Sequence, residues 1–177
     1  ARREQGLFVV EGLRLTGEVP AERLERLYVT EEVLDEHGAA VKRLREDGTE
    51  LAIPHEIVTE QVLRAMSDTQ TPQGILGVVR QQEYSIEEMC RGKEAPLLLI
   101  LENIQDPGNL GTILRTADAL DIPVVLLEGC ADPYSHKVVR ASMGAVLRTQ
   151  VMQSSWAEVR AACQKAEIPV GVTALSD

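Results

Sequence analysis

The sequence predicts an α/β chain in two units, on three observations. Short aliphatic runs alternate with amphipathic helical segments along the whole length. Residues 97–101, LLLIL, are apolar on both faces, the pattern of a strand in a parallel sheet covered by helices on both sides. Residues 82–95 are polar and charged and end at Pro96, so they read as a linker between residues 1–81 and 96–177. The expected fold is a small N-terminal α/β layer domain followed by a doubly wound parallel sheet.

Taken in order, residues 7–10 predict a strand and 11–18 a short helix. Residues 27–30 predict a second strand, and 31–47 a helix closed by Gly48. A third strand at 50–53 is closed by Pro54. Residues 57–67 predict a helix, with Val58, Val62, Leu63 and Met66 at helical spacing. Residues 67–73 form a polar loop and 74–81 a fourth strand, and a short helix at 86–90 fits inside the linker. In the second unit, strands at 97–101, 124–127, 149–152 and 170–175 alternate with helices at 109–120, 136–144 and 155–167.

Composition narrows the function. The 177 residues are 44% hydrophobic but only 3% aromatic, so aliphatic side chains must fill the core. A formal net charge of −10 argues against a broad nucleic-acid-binding surface and leaves room only for a local basic patch. No apolar run is long enough to span a membrane, and the start shows no signal peptide. Cys90, Cys130 and Cys163 are far apart and odd in number, which fits reduced thiols in a cytoplasm and no zinc pattern. No metal site is expected.

The chain is organised around residues 97–120. Asp106-Pro107-Gly108-Asn109 is strong turn chemistry, and Asn109 sits where a helix N-cap is expected. Leu110, Ile113, Leu114, Ala117 and Leu120 then form one core-facing stripe. Arg115 lies off that stripe, one turn beyond Gly111. Helical side chains lean toward the N-terminus, so Arg115 is expected to cross the bare Gly111 surface and reach the loop near Asn109. A cation, an amide and free N–H groups there suit a phosphate or a developing oxyanion. A surface ion pair between Arg115 and Asp118 is the plainer alternative.

Other candidates are more ordinary. Glycines 108 and 111 form neither a dinucleotide fingerprint nor a P-loop. Ser135 reads as the cap of the next helix, with His136 a surface or capping residue. Lys137 and Arg140 lie on one helix and can grip a phosphate. Arg2, Arg3 and Arg14 in the first unit are further RNA-contact candidates, as are Gln70 and Gln73 in the polar turn.

The pattern Asn103, Asp106, Pro107, Asn109, Gly111, Arg115, Thr116, Ala117 resembles the first motif of the SpoU/TrmH family. These are RNA ribose 2′-O-methyltransferases of the knotted SPOUT class. Residues 132–145 resemble the segment that follows in this family, and residues 6–12 and 71–76 its small substrate-binding domain. The resemblance implies an S-adenosylmethionine-dependent enzyme acting on RNA, 23S ribosomal RNA rather than tRNA, and working as a homodimer. It makes Asn109 and Arg115 the active-site residues, with Glu102 and Asn103 bracing their loop. Thr173, Ala174 and Leu175 become one wall of the cofactor pocket. The family's later motifs, with a Gly-rich loop, a Glu, a Ser and an Asn, do not occur before Asp177. The chain is therefore expected to be C-terminally truncated, to lack the knot and to be inactive by itself. Asp121 stands where the family often has Gly. A non-catalytic RNA-binding protein on the same scaffold is the alternative.

Overall fold

The computed structural model describes residues 5–38, 42–44, 50–69, 71–90 and 97–173. The first sheet is mixed, with order β1-β6-β2-β5: β1 (Leu7–Glu11), β6 (Ile75–Arg80), β2 (Leu24–Val29) and β5 (His55–Ile57). β6 is central and antiparallel to both β1 and β2, and β5 runs parallel to β2. That position explains why Ile75, Leu76 and Val79 are all buried. The helices α1 (Leu13–Glu18), α2 (Glu31–Glu36) and α3 (Glu60–Met66) fill the connections. Thr30 and Thr59 cap α2 and α3, accepting from Val33 and Val62 N–H.

The helix expected over 31–47 ends at Glu36. His37 closes it by donating to Val33 O, and Gly38 follows. Lys42–Leu44 is instead strand β3, antiparallel to β4 (Glu50–Ala52), so cross-strand pairing overrides the helical spacing there. Gly48 lies outside the described residues. Of the stripe expected on α3, only Leu63 is buried; Val62 and Met66 face solvent.

The second sheet is parallel, in the order β7 (Leu99–Leu101), β8 (Val124–Leu126), β9 (Val151–Gln153). Its residues alternate between two cores. Leu99, Leu101, Val124, Leu126 and Val151 face α5 (Pro107–Ala119), α6 (His136–Ala141) and α7 (Ala145–Arg148). Leu98, Ile100, Val125 and Met152 face α4 (Ile86–Cys90) and α8 (Trp156–Lys165). Ser155 and Glu158 cap α8 reciprocally, which holds the Glu158 carboxyl below its usual range through the Ser155 N–H. Within the expected linker, Ile86 and Met89 of α4 are buried against α8, and residues 91–96 lie outside the described set.

The strand expected over 170–175 is absent from residues 170–173. Val170 is 45% and Val172 83% exposed, and no described strand pairs with them. The β-branched pattern was there, but ladder bonds need a neighbour.

The two units share one apolar core. Phe8, Val10, Leu24 and Val79 of the first lie in the same cluster as Leu110, Leu114, Val139 and Val146 of the second. The Phe8 and Tyr134 rings meet at 4.8 Å. Arg23 donates to Leu147 O at 3.0 Å, and Arg148 bridges Glu18 of α1 and Asp118 of α5, both at 2.7 Å. No helix among the described residues is long and apolar enough to cross a membrane.

Candidate functional site

In parallel α/β sheets, ligands gather at the carboxyl ends of the strands. The loop leaving β7 is built there by residues with separable duties. Asn103 adopts φ 58°, a left-handed conformation that Asn tolerates better than most residues. Its N–H donates to Glu128 O at 3.1 Å, and its Oδ1 accepts from Gln105 Nε2 at 2.8 Å. Gly129, itself at φ 77°, packs so closely that a Cβ there would sit 2.8 Å from Asn103 Oδ1. The loops after β7 and β8 therefore brace each other through Asn103 and Gly129.

The N-cap of α5 is Asp106, not Asn109. Asp106 Oδ1 accepts from Asn109 N–H at 2.7 Å, and Pro107 takes the first helical position, where a missing N–H costs nothing. The Asn109 side chain is thereby released into solvent. Gly111 is not a bare surface either. A Cβ on it would meet Ala141 Cβ at 2.5 Å, Ala141 C at 2.7 Å and Ser142 N at 2.9 Å. The glycine lets α6 press against α5, so it offers no channel for Arg115.

Arg115 is exposed, with no ion pair or side-chain hydrogen bond among the described residues. The plainer alternative also fails, because Asp118 is held by Arg148 Nε and NH2 at 3.0 and 2.7 Å. Thr112 and Thr116, on the same exposed side, turn their hydroxyls back to Gly108 O and Thr112 O. Asp106, Asn103, Gly111, Thr112 and Thr116 thus each have a structural contact, whereas Asn109 and Arg115 make no side-chain hydrogen bond or ion pair among the described residues.

A second cluster forms where the two units meet. Gln73 and Arg140, from different units, line one cleft with His136, Thr69 and Thr71. Ser135 caps α6 as expected, accepting from Val138 N–H at 3.4 Å, and both Lys137 and Arg140 are exposed on that helix. Arg14 is exposed and pairs with Glu18 at 3.2 Å. Sequence reading did not find Glu11, Thr69 or His136 as cleft residues. Glu11 accepts from Ser67 Oγ at 2.7 Å and Thr69 Oγ1 at 2.5 Å, contacts between β1 and the loop after α3 that no local pattern announces.

Thr173 is exposed. Ala174, Leu175, Arg2, Arg3 and Gln70 lie outside the described residues. No group of three His, Cys, Asp or Glu side chains among the described residues could hold a metal ion. Burial pushes the Tyr134 hydroxyl up to about 12 despite the opposing pull of Arg23, so it remains a neutral donor at working pH.

Comparison with known proteins places these features. Residues 96–177 match the model of the SpoU rRNA Methylase family, and residues 1–77 that of the MRM3-like substrate binding domain. The mitochondrial rRNA methyltransferase 3 of Mus musculus is 34% identical over 157 residues, covering 86% of this chain and 36% of its own. The 23S rRNA (guanosine(2553)-2′-O)-methyltransferase RlmP of Bacillus subtilis (strain 168) is 31% identical over 137 residues, covering 73% of this chain and 53% of its own. The AdoMet-bound rRNA methyltransferase of Sinorhizobium meliloti superposes with a TM-score of 0.70 at 25% identity, over 93% of this chain and 60% of its own. The chain thus spans only about a third to a half of the two curated relatives' lengths.

Proposed function

The chain belongs to the SpoU rRNA methylase family, and on that premise we propose that it carries the substrate-holding part of an S-adenosylmethionine-dependent ribose 2′-O-methyltransferase acting on ribosomal RNA. The observation that carries this reading is the release of Asn109 and Arg115. Asp106 caps the helix and Arg148 occupies Asp118, so an amide and an unpaired guanidinium stand on the exposed side of α5. The loop leading into α5 is braced against the loop after β8 through Asn103 and Gly129.

The ribose 2′-hydroxyl must lose its proton as its oxygen takes the methyl group. An arginine, with a pKa above about 12, is a poor proton acceptor at neutral pH. Arg115 acts instead by holding an adjacent phosphate and stabilising the alkoxide as it forms, with Asn109 orienting the ribose. S-adenosylmethionine is the methyl donor of this reading. Thr173, Ala174 and Leu175 are proposed as one wall of its pocket.

RNA binding draws on Gln73 and Arg140 in the cleft, with Lys137 beside them and Arg14, Arg2, Arg3 and Gln70 as further contacts. Exposed cations on α6, Lys137 and Arg140, suit a chain whose net charge of −10 would repel RNA elsewhere. The working unit is proposed to be a homodimer in the cytoplasm, where the three free cysteines stay reduced.

The test is methyl transfer from labelled S-adenosylmethionine to 23S ribosomal RNA, using the protein expressed from its complete reading frame. An alkali-stable labelled dinucleotide is expected, because a 2′-O-methyl group blocks cleavage at that position. Label on a base would contradict the reading. RNA binding without methyl transfer would favour the non-catalytic scaffold.

A further inference from the structure

The cleft between the first sheet and α6 has a volume of about 190 Å³. That is room for about six waters at roughly 30 Å³ each, the space of one planar heterocycle. Val9 and Leu15 from the first unit and Val139 from α6 give it apolar walls, which suit the face of a base. Its charged groups divide by side. The first unit presents the carboxylates of Glu11 and Asp68, and α6 presents the Arg140 guanidinium.

These groups are poised to bind. The hydroxyls of Ser67 and Thr69 fix the Glu11 carboxylate, one on each oxygen, and leave each oxygen a further lone pair. The Arg140 side chain has no partner among the described residues. Acceptors on one wall and a forked donor on the other match the two edges of guanine. Its N1–H and N2–H₂ donors lie side by side, and O6 and N7 are paired acceptors suited to arginine. Adenine, cytosine and uracil do not offer this combination.

Neither Asn109 nor Arg115 lines the cleft. We infer that the cleft reads one unstacked guanine of the RNA, a base other than the nucleotide whose ribose meets Arg115, and so sets the register in which that nucleotide is presented. The inference rests on the RNA-binding reading above. It uses the mode by which single-stranded RNA is usually recognised, a splayed base read along its edges.

Fluorescence anisotropy of this chain with two labelled oligouridines tests it. One carries a single guanosine; the other carries inosine, which lacks the N2 amine, at the same place. The guanosine strand is expected to bind about tenfold more tightly, near 1.4 kcal/mol. Asp68→Asn, at an exposed position, should reduce the preference for the guanosine strand over the inosine strand. Equal affinity of the wild type for both strands overturns the guanine cleft and leaves the RNA reading standing. Binding of neither strand overturns both. Guanosine 5′-monophosphate binding as tightly as the oligonucleotide would make the cleft a free-nucleotide site, and the inference would fail.

Discussion

Gly111→Ala perturbs the contact that sets α5 against α6. The new methyl would lie 2.5 Å from Ala141 Cβ and under 3.0 Å from Ala141 C and Ser142 N. Two of these three neighbours are backbone atoms and the third is a methyl, so none can swing aside on a rotamer. Overpacking of this kind costs about 1–3 kcal/mol, and the backbone neighbours place it toward the upper end. Alanine returns about 1 kcal/mol through its better helix propensity. The net expectation is a loss of about 1–2 kcal/mol, a fall in Tm of roughly 2–8 °C for a chain of this size. Urea unfolding followed by circular dichroism should show a lower midpoint with an unchanged slope. Stability equal to or above wild type would refute the close-packing role. Gly111 would then be an ordinary exposed-helix glycine, and the channel expected from the sequence would return.

Two further perturbations probe the joint between the units. Arg148→Ala removes the pairs to Asp118 and Glu18, whose partners are partly solvent-exposed. We expect a loss of about 1 kcal/mol at low salt that shrinks at high salt, measured by urea unfolding at both; a salt-independent loss would point to packing instead. Tyr134, pushed up to about 12 by burial, gives a pH dependence of known sign. The unfolded state deprotonates first, so the contribution is fully present below pH 10 and is lost as pH rises from about 10 to 12, about 2–3 kcal/mol in all. Tyr134→Phe should flatten that alkaline slope, and an unchanged slope would assign it to other groups.

Legibility followed the range of the interactions. The strand cores Leu99–Leu101 and Val124–Leu126 were readable because an all-apolar run states its own burial. The identity of the α5 cap is a local matter. Asp106 and Asn109 both have the right chemistry, but Pro107 favours the first helical position, which selects Asp106. Gly38, next to the C-cap His37, likewise lies at the end of α2, well before Gly48 in sequence. Other features were not local at all. That Gly111 faces Ala141, that Arg148 takes Asp118 from Arg115, and that Glu11 meets Thr69 are consequences of how the elements dock. The motif residues were visible as a set, but only the contacts sort Asp106, Pro107 and Gly111, which build the scaffold, from Asn109 and Arg115, which it leaves free.

The central claim is that Arg115 works on charge that grows during the reaction. The most direct measurement is single-turnover methyl transfer at saturating ribosomal RNA, wild type against Arg115→Ala, with RNA affinity measured alongside. An interaction strengthened mainly in the transition state is lost from the rate rather than from binding. The account predicts a rate lower by about 10²–10³ with RNA affinity little changed. A wild-type single-turnover rate with weakened, less salt-dependent RNA binding would contradict it and make Arg115 a phosphate anchor only.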